Sequence, residues 1–188
     1  MQEFDSLLEL LLMLVKQPRT GILLFLLVLA SFSDYVTYKI PNWLTFGGML
    51  FALTYNAAVP FSSTPNHAFL WAAGGLLIGL GTMLPLYAMK IMGAGDVKLM
   101  AMIGAFLGIS DTLYVILFSF VIGSLAALGF SIANQAITKM LTNMTNINQM
   151  FVLTTNLEEE QSIGKLPYGI CISLGCGTYL VTKQLGYL

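Results

Sequence analysis

From Gly21 to Ile40 the chain reads GILLFLLVLASFSDYVTYKI, an apolar run with one acid, Asp34, inside it. As a helix rising ~1.5 Å per residue, such a run is long enough to cross about 30 Å of hydrocarbon. Lipid offers the backbone no hydrogen-bond partners, so a crossing segment of this kind must be helical. Five further apolar stretches follow: Trp43 to about Val59, about Ala68 to Met89, Val97 to about Ile109, about Thr112 to Ala133, and about Leu166 to Leu185. The expected fold class is therefore all-α, a polytopic membrane protein with about six transmembrane helices. A hydrophobic content of 57% and a charged content of 9% do not fit a water-soluble surface.

Other classes fall away on the same grounds. Eight Lys or Arg against nine Asp or Glu provide no basic field for nucleic acid, and no such partner is expected. Cys171 and Cys176 lie five apart in an apolar stretch, a spacing that fits neither a zinc ribbon nor a redox CxxC, and read as apolar filler. One histidine, His67, falls in an expected external loop, so neither a metal nor a cofactor is expected. Residues 1–20 begin with Glu3, Asp5 and Glu9 where a secretory signal would be cationic, and read as an interfacial helix. Residues 21–188 then form one six-helix domain, interrupted by a polar loop at about 134–165. In that loop Ile137, Met140, Leu141, Met144, Ile147 and Phe151 recur at helical spacing, as in a helix lying on the membrane surface.

Six crossings put both termini on one side, and lysine and arginine decide which. Lys39, Lys90, Lys98, Lys139 and Lys165 share one face, while Lys16, Arg19 and Lys183 fall on the other. The five-against-three excess makes the loops after spans one, three and five cytoplasmic. Asp111 reads as a tight turn on the external side. Gly74, Gly75, Gly79 and Gly81 in the third span predict close helix contact.

Within this frame Asp34 and Asp96 both reach the cytoplasmic face. An acid in a membrane span is expensive, at about 2.5–3.5 kcal/mol near the bilayer centre, and marks a functional candidate. Two carboxyl groups brought together tend to share one proton, so that the ionised member activates water and the protonated one polarises a carbonyl. Gly93 and Gly95, in the tetrapeptide Gly93-Ala94-Gly95-Asp96, remove side chains that would keep a substrate backbone or a facing helix from the carboxylate. Structural roles compete with this chemistry. Asp96 could be the N-cap of the fourth span, and Asp34 could pair with Lys39 a helical turn away. Lys98 could tune the acids or simply extend its ammonium to the membrane boundary. The eleven methionines fill gaps between helices or line a pliable groove.

Three motifs, in order, carry a resemblance to a known family: Asp34 followed by Lys39-Ile40-Pro41-Asn42, then GAGDVKL from Gly93 to Leu99, then Leu166-Pro167-Tyr168-Gly169 at the start of the last span. Together they resemble the type IV prepilin peptidases, the GxGD-type leader peptidases. The resemblance implies that Asp34 and Asp96 are the catalytic pair and that Gly93 and Gly95 are the motif glycines. Lys98, Lys39, Pro41, Asn42, Pro167, Tyr168 and Gly169 would be supporting positions. It also implies an aspartic endopeptidase of the bacterial cytoplasmic membrane, acting on prepilins or pseudopilins whose cationic leader lies in the cytoplasm. Larger members of that family also methylate the new N-terminus and carry a cysteine-rich segment. This chain has no CxxC pair, so methyltransferase activity is not expected, and the compact form looks like the peptidases of Flp or Tad-type pili. Two other readings remain open at this point: a GxGD protease acting on different transmembrane substrates, and a small transporter component whose acids bind a cation or relay protons.

Overall fold

The computed structural model describes residues 18–58, 65–133 and 168–186, apart from the side chains of 65–67 and 130–133. The expected N-terminal interfacial helix and the surface helix in the 134–165 loop lie outside these residues. All six described elements are α-helices: α1 Pro18–Thr37, α2 Asn42–Ala58, α3 Pro65–Ala88, α4 Ala94–Leu107, α5 Ile109–Ala133 and α6 Tyr168–Gln184. The expected all-α class holds. Among the described residues α1, α3 and α5 are long and apolar enough to cross a membrane, over Pro18–Thr37, Ala68–Ala88 and Ile109–Gly129.

One compact unit comprises Met1–Ile122 and Pro167–Leu188. A second, Gly123–Leu166, is described only over the remainder of α5 to Ala133. In the first unit α4 is the central helix, in contact with α1, α2, α3 and α6. Nearly all of it is buried, including Leu99, Met100, Ile103 and Phe106. A helix surrounded by other helices need not match the bilayer thickness. This explains why α4, at 14 residues, is the shortest of the six.

Backbone contact between α3 and α4 depends on missing side chains. A Cβ on Gly75 would run into the Gly104 carbonyl and the Gly108 backbone, and one on Gly79 would sit 2.6 Å from the Met100 carbonyl oxygen. Two of the four glycines singled out in the third span thus bring the helices together. Gly74 instead accommodates the Ile109 side chain, and Gly81 faces open space.

The α4–α5 junction differs from expectation. Asp111 does not form the turn but lies in the first turn of α5, which starts at Ile109. The break falls at Gly108, with φ +82°, a left-handed conformation that glycine adopts without a Cβ penalty, and Trp71 packs directly on it. Position 67, assigned to a loop, lies in the first turn of α3.

At the other end of the bundle, α1 and α3 stop in similar ways. Tyr38 takes φ +51° just after α1 and Lys90 takes φ +59° just after α3, unusual values for residues with side chains. The Tyr38 N–H closes on the Asp34 carbonyl at 2.9 Å, and the Ser33 and Thr37 hydroxyls donate to the Lys39 carbonyl at 2.9 and 3.0 Å. Pro41 cannot continue a helix, and its carbonyl accepts from Leu44 and Thr45 to begin α2. The chain thereby reverses within four residues of α1 and keeps the KIPN segment next to the last turn that carries Asp34.

Candidate active site

Asp34 occupies the last turn of α1, yet it is only 5% exposed. Its carboxylate is covered by the start of α6: Gly169 donates its backbone N–H to Oδ2 at 2.8 Å, and the Ile170 N–H is a second donor. These N–H groups belong to the first turn of a helix and have no partner within it, so a carboxylate satisfies them and gains from the helix dipole. Asp34 therefore does not pair with Lys39, which is exposed beyond the end of α1 and contributes its backbone carbonyl to the turn.

Asp96 lies in the first turn of α4. The N-cap is Gly93, not Asp96, because the Gly93 backbone is extended with its carbonyl already accepting from the Asp96 N–H at 3.2 Å. Asp96 Oδ2 reaches back to accept the Gly93 N–H at 3.3 Å. Gly95 faces the KIPN segment, and a Cβ there would lie 3.3 Å from the Ile40 Cβ.

The end of α1, the start of α4 and the start of α6 thus converge. Asp34 and Asp96 are close enough to interact electrostatically, and the Tyr168 side chain lies within range of Asp96. The structure brings Asp34, Asp96, Gly93, Gly95, Tyr168 and Gly169 to one end of the bundle. Lys98 Nζ donates to Asn42 Oδ1 at 2.9 Å and lies 5.2 Å from the Phe46 ring centroid. It ties α4 to the start of α2. Pro167 lies outside the described residues.

Two participants were not singled out from the sequence. Ile40 is buried, with its side chain against both Gly95 and Gly169, where a Cβ would be 3.3 Å and 3.0 Å away. It is the apolar wedge at the meeting point of the three helices. An apolar residue inside the otherwise polar Lys39-Ile40-Pro41-Asn42 turn was the available signal. Cys171, read as filler, is buried one turn into α6 and lies within electrostatic range of both aspartates. Among the described residues, no group of three or more His, Cys, Asp or Glu side chains is disposed to hold a metal ion.

The fold and the site define an all-helical membrane protein with two interacting carboxyl groups at one end of its bundle. The chain belongs to the type IV leader peptidase family, which matches residues 21–128, and is accordingly a peptidase. The matched stretch contains Asp34, the KIPN turn and the GAGD segment and ends before Tyr168 and Gly169. No curated protein and no solved structure gives a match.

Proposed function

We propose that the protein is an intramembrane aspartyl endopeptidase that removes the leader from prepilin or prepilin-like precursors at the cytoplasmic boundary of a bacterial inner membrane, with Asp34 and Asp96 as its catalytic pair. The observation that carries this reading is the convergence of the two aspartates, 62 positions apart in sequence, at one end of the bundle in a chain of the leader peptidase family.

The pair holds one shared proton. The ionised carboxylate takes a proton from a water molecule as the water oxygen attacks the scissile carbonyl carbon. The protonated carboxyl gives its proton to the carbonyl oxygen, so a neutral gem-diol forms. The carboxyl that took the water proton then passes it to the amide nitrogen while a gem-diol hydroxyl returns its proton to the other carboxylate; the C–N bond breaks, releasing leader acid and mature amine with the pair again holding one proton. No metal or other cofactor takes part, and N-methylation of the product is not part of the activity.

In this reading all six helices cross the bilayer, and the lysine-rich side with the aspartates is cytoplasmic. A precursor with a cationic cytoplasmic leader and an apolar span would present its cleavage site at that depth. Co-expression with a candidate prepilin, followed by N-terminal sequencing of the product, tests the assignment. A new N-terminus between the leader and the apolar segment is expected, and an unprocessed precursor in the presence of abundant enzyme would exclude that substrate. Retained cleavage when both aspartates are replaced would overturn the mechanism.

A further inference from the structure

Asp34 and Asp96 interact, but their surroundings differ. Asp34 is buried, and two backbone donors take the place of water at its carboxylate: the Gly169 N–H, 2.8 Å from Oδ2, and the Ile170 N–H. Both come from the first turn of α6, where helix N–H groups have no partner within the helix. Asp96 is half-buried, and its Oδ2 accepts the Gly93 N–H at the longer distance of 3.3 Å.

A backbone N–H can only donate, so Oδ2 of each acid is an acceptor and a proton shared by the pair belongs on an Oδ1. Which acid holds it follows from what each choice loses. Hydrogen bonds to an ionised acceptor are shorter and roughly twice as strong as neutral ones. Protonating Asp34 would weaken two of them at a buried position, whereas protonating Asp96 weakens one longer bond. Helix dipoles do not reverse this preference. Asp34 faces the N-terminus of α6 and Asp96 lies in the first turn of α4, so each gains. The last turn of α1 opposes a negative charge at Asp34, but by less than one hydrogen bond to a charged group contributes. Neighbouring groups leave the balance unchanged. Cys171 lies within electrostatic range of both acids and favours neither, and Tyr168 brings an uncharged phenol towards Asp96. Lys98 comes two positions after Asp96, a spacing that does not put both side chains on one helix face.

We infer that the first turn of α6 divides the labour of the pair: it holds Asp34 ionised as the general base and leaves Asp96 as the protonated general acid. The inference rests on the aspartyl peptidase reading and gives it a direction. The Asp34 carboxylate takes a proton from the attacking water as the water oxygen bonds to the scissile carbon, and Asp96 gives its proton to the carbonyl oxygen. In the second half the roles exchange. Asp34 passes the water proton to the amide nitrogen as the C–N bond breaks, and a gem-diol hydroxyl returns its proton to Asp96. Gly169 and Ile170 are positioning residues that act through their backbone N–H groups. The direction of proton flow is thus set by a helix beyond the stretch matched to the peptidase family.

Carbon-13 NMR of the full chain in detergent, labelled only at the aspartate Cγ, tests the assignment without substrate. The sequence has four aspartates, Asp5, Asp34, Asp96 and Asp111, and the resonance lost in each single Asn variant identifies its residue. In the wild-type protein, at the pH where the pair holds one proton, Asp34 should show the shift of an ionised carboxyl and Asp96 that of a protonated one. The proton should reside on Asp96 about tenfold more often than on Asp34, the ratio that one hydrogen bond to a charged group supplies. Gly169→Ala, which displaces the Asp34 carboxylate from α6, should move proton occupancy from Asp96 towards Asp34; if that variant does not accumulate, the wild-type spectrum still decides the assignment. A protonated Asp34 beside an ionised Asp96, or equal sharing, would overturn it, and an unchanged spectrum in Gly169→Ala would overturn the part given to α6. Neither outcome touches the peptidase reading itself, which is decided by cleavage with Asp34→Asn and Asp96→Asn.

Discussion

The Gly169 backbone N–H donates to Asp34 Oδ2 at 2.8 Å, joining the first turn of α6 to the last turn of α1 across 135 positions of sequence. The contact needs a residue without a side chain, because a Cβ at 169 would stand 2.8 Å from that same oxygen and 3.0 Å from Ile40 Cδ1. Gly169→Ala should therefore displace the carboxylate while leaving the buried faces of both helices intact. A misplacement of this kind lowers a rate by about 10²-fold. The measurement is precursor conversion per enzyme molecule in the membrane. Near-normal conversion by Gly169→Ala would show that the Asp34 position is not set by α6.

How far the sequence disclosed this arrangement depends on the range of the interaction. The helices were legible because apolar runs and their proline or glycine interruptions are local signals, and Gly21–Ile40 and the helix Pro18–Thr37 overlap almost fully. The α4–α5 boundary was misread because Asp111 looked like a turn residue. The decisive feature was the left-handed Gly108 under Trp71, a contact with a residue far away in sequence. The aspartates could be identified from the oddity of acids among apolar residues. Their partners could not: the cover on Asp34 comes from backbone N–H groups, which have no sequence signature, and Ile40 and Cys171 are chemically plain residues that acquire a role only through placement.

Lys98 and Asn42 offer a test of the tie between α4 and α2. Their 2.9 Å bond joins α4 to α2 at the boundary, with the ammonium partly exposed. Lys98→Met and Asn42→Ala should each lower stability slightly, and the double variant should be less destabilised than the sum. A coupling of about 0.5 kcal/mol is expected, at the low end for contacting residues because solvent screens the bond. Unfolding in mixed detergent micelles, across all four proteins, gives the coupling directly. Strict additivity would mean that the bond contributes nothing in the membrane.

Helix contact through small residues separates two glycines that look alike in sequence. Gly104 faces the Gly75 backbone so closely that any side chain must push α3 and α4 apart, whereas Gly81 meets nothing within 4 Å. Gly104→Leu should destabilise the protein by about 1–3 kcal/mol or prevent its accumulation, the range for overpacked cores. Gly81→Leu should stay within about 0.5 kcal/mol of wild type. Membrane abundance and detergent unfolding report both. Equal sensitivity at the two positions would contradict the α3–α4 packing.

The catalytic pair is tested by a change that preserves shape. Asn has the size of Asp and retains a carbonyl oxygen, so Asp34→Asn can still accept the Gly169 N–H and Asp96→Asn can still accept the Gly93 N–H. What Asn cannot do is hold or release the shared proton. If the acids serve only to cover helix ends, both variants should cleave at close to the normal rate. If they are the proton-transfer pair, each should abolish conversion of precursor to product while insertion and abundance remain normal. The double variant should then be no worse than either single one, because the two groups act as a unit. Glu159→Gln, an acid outside the three motifs, serves as the control and should process substrate normally. Substantial cleavage by either single aspartate variant, at equal enzyme in the membrane, would sink the assignment. The catalytic reading thus depends on two substitutions that keep an acceptor for the Gly169 and Gly93 N–H groups and remove the ionisable proton.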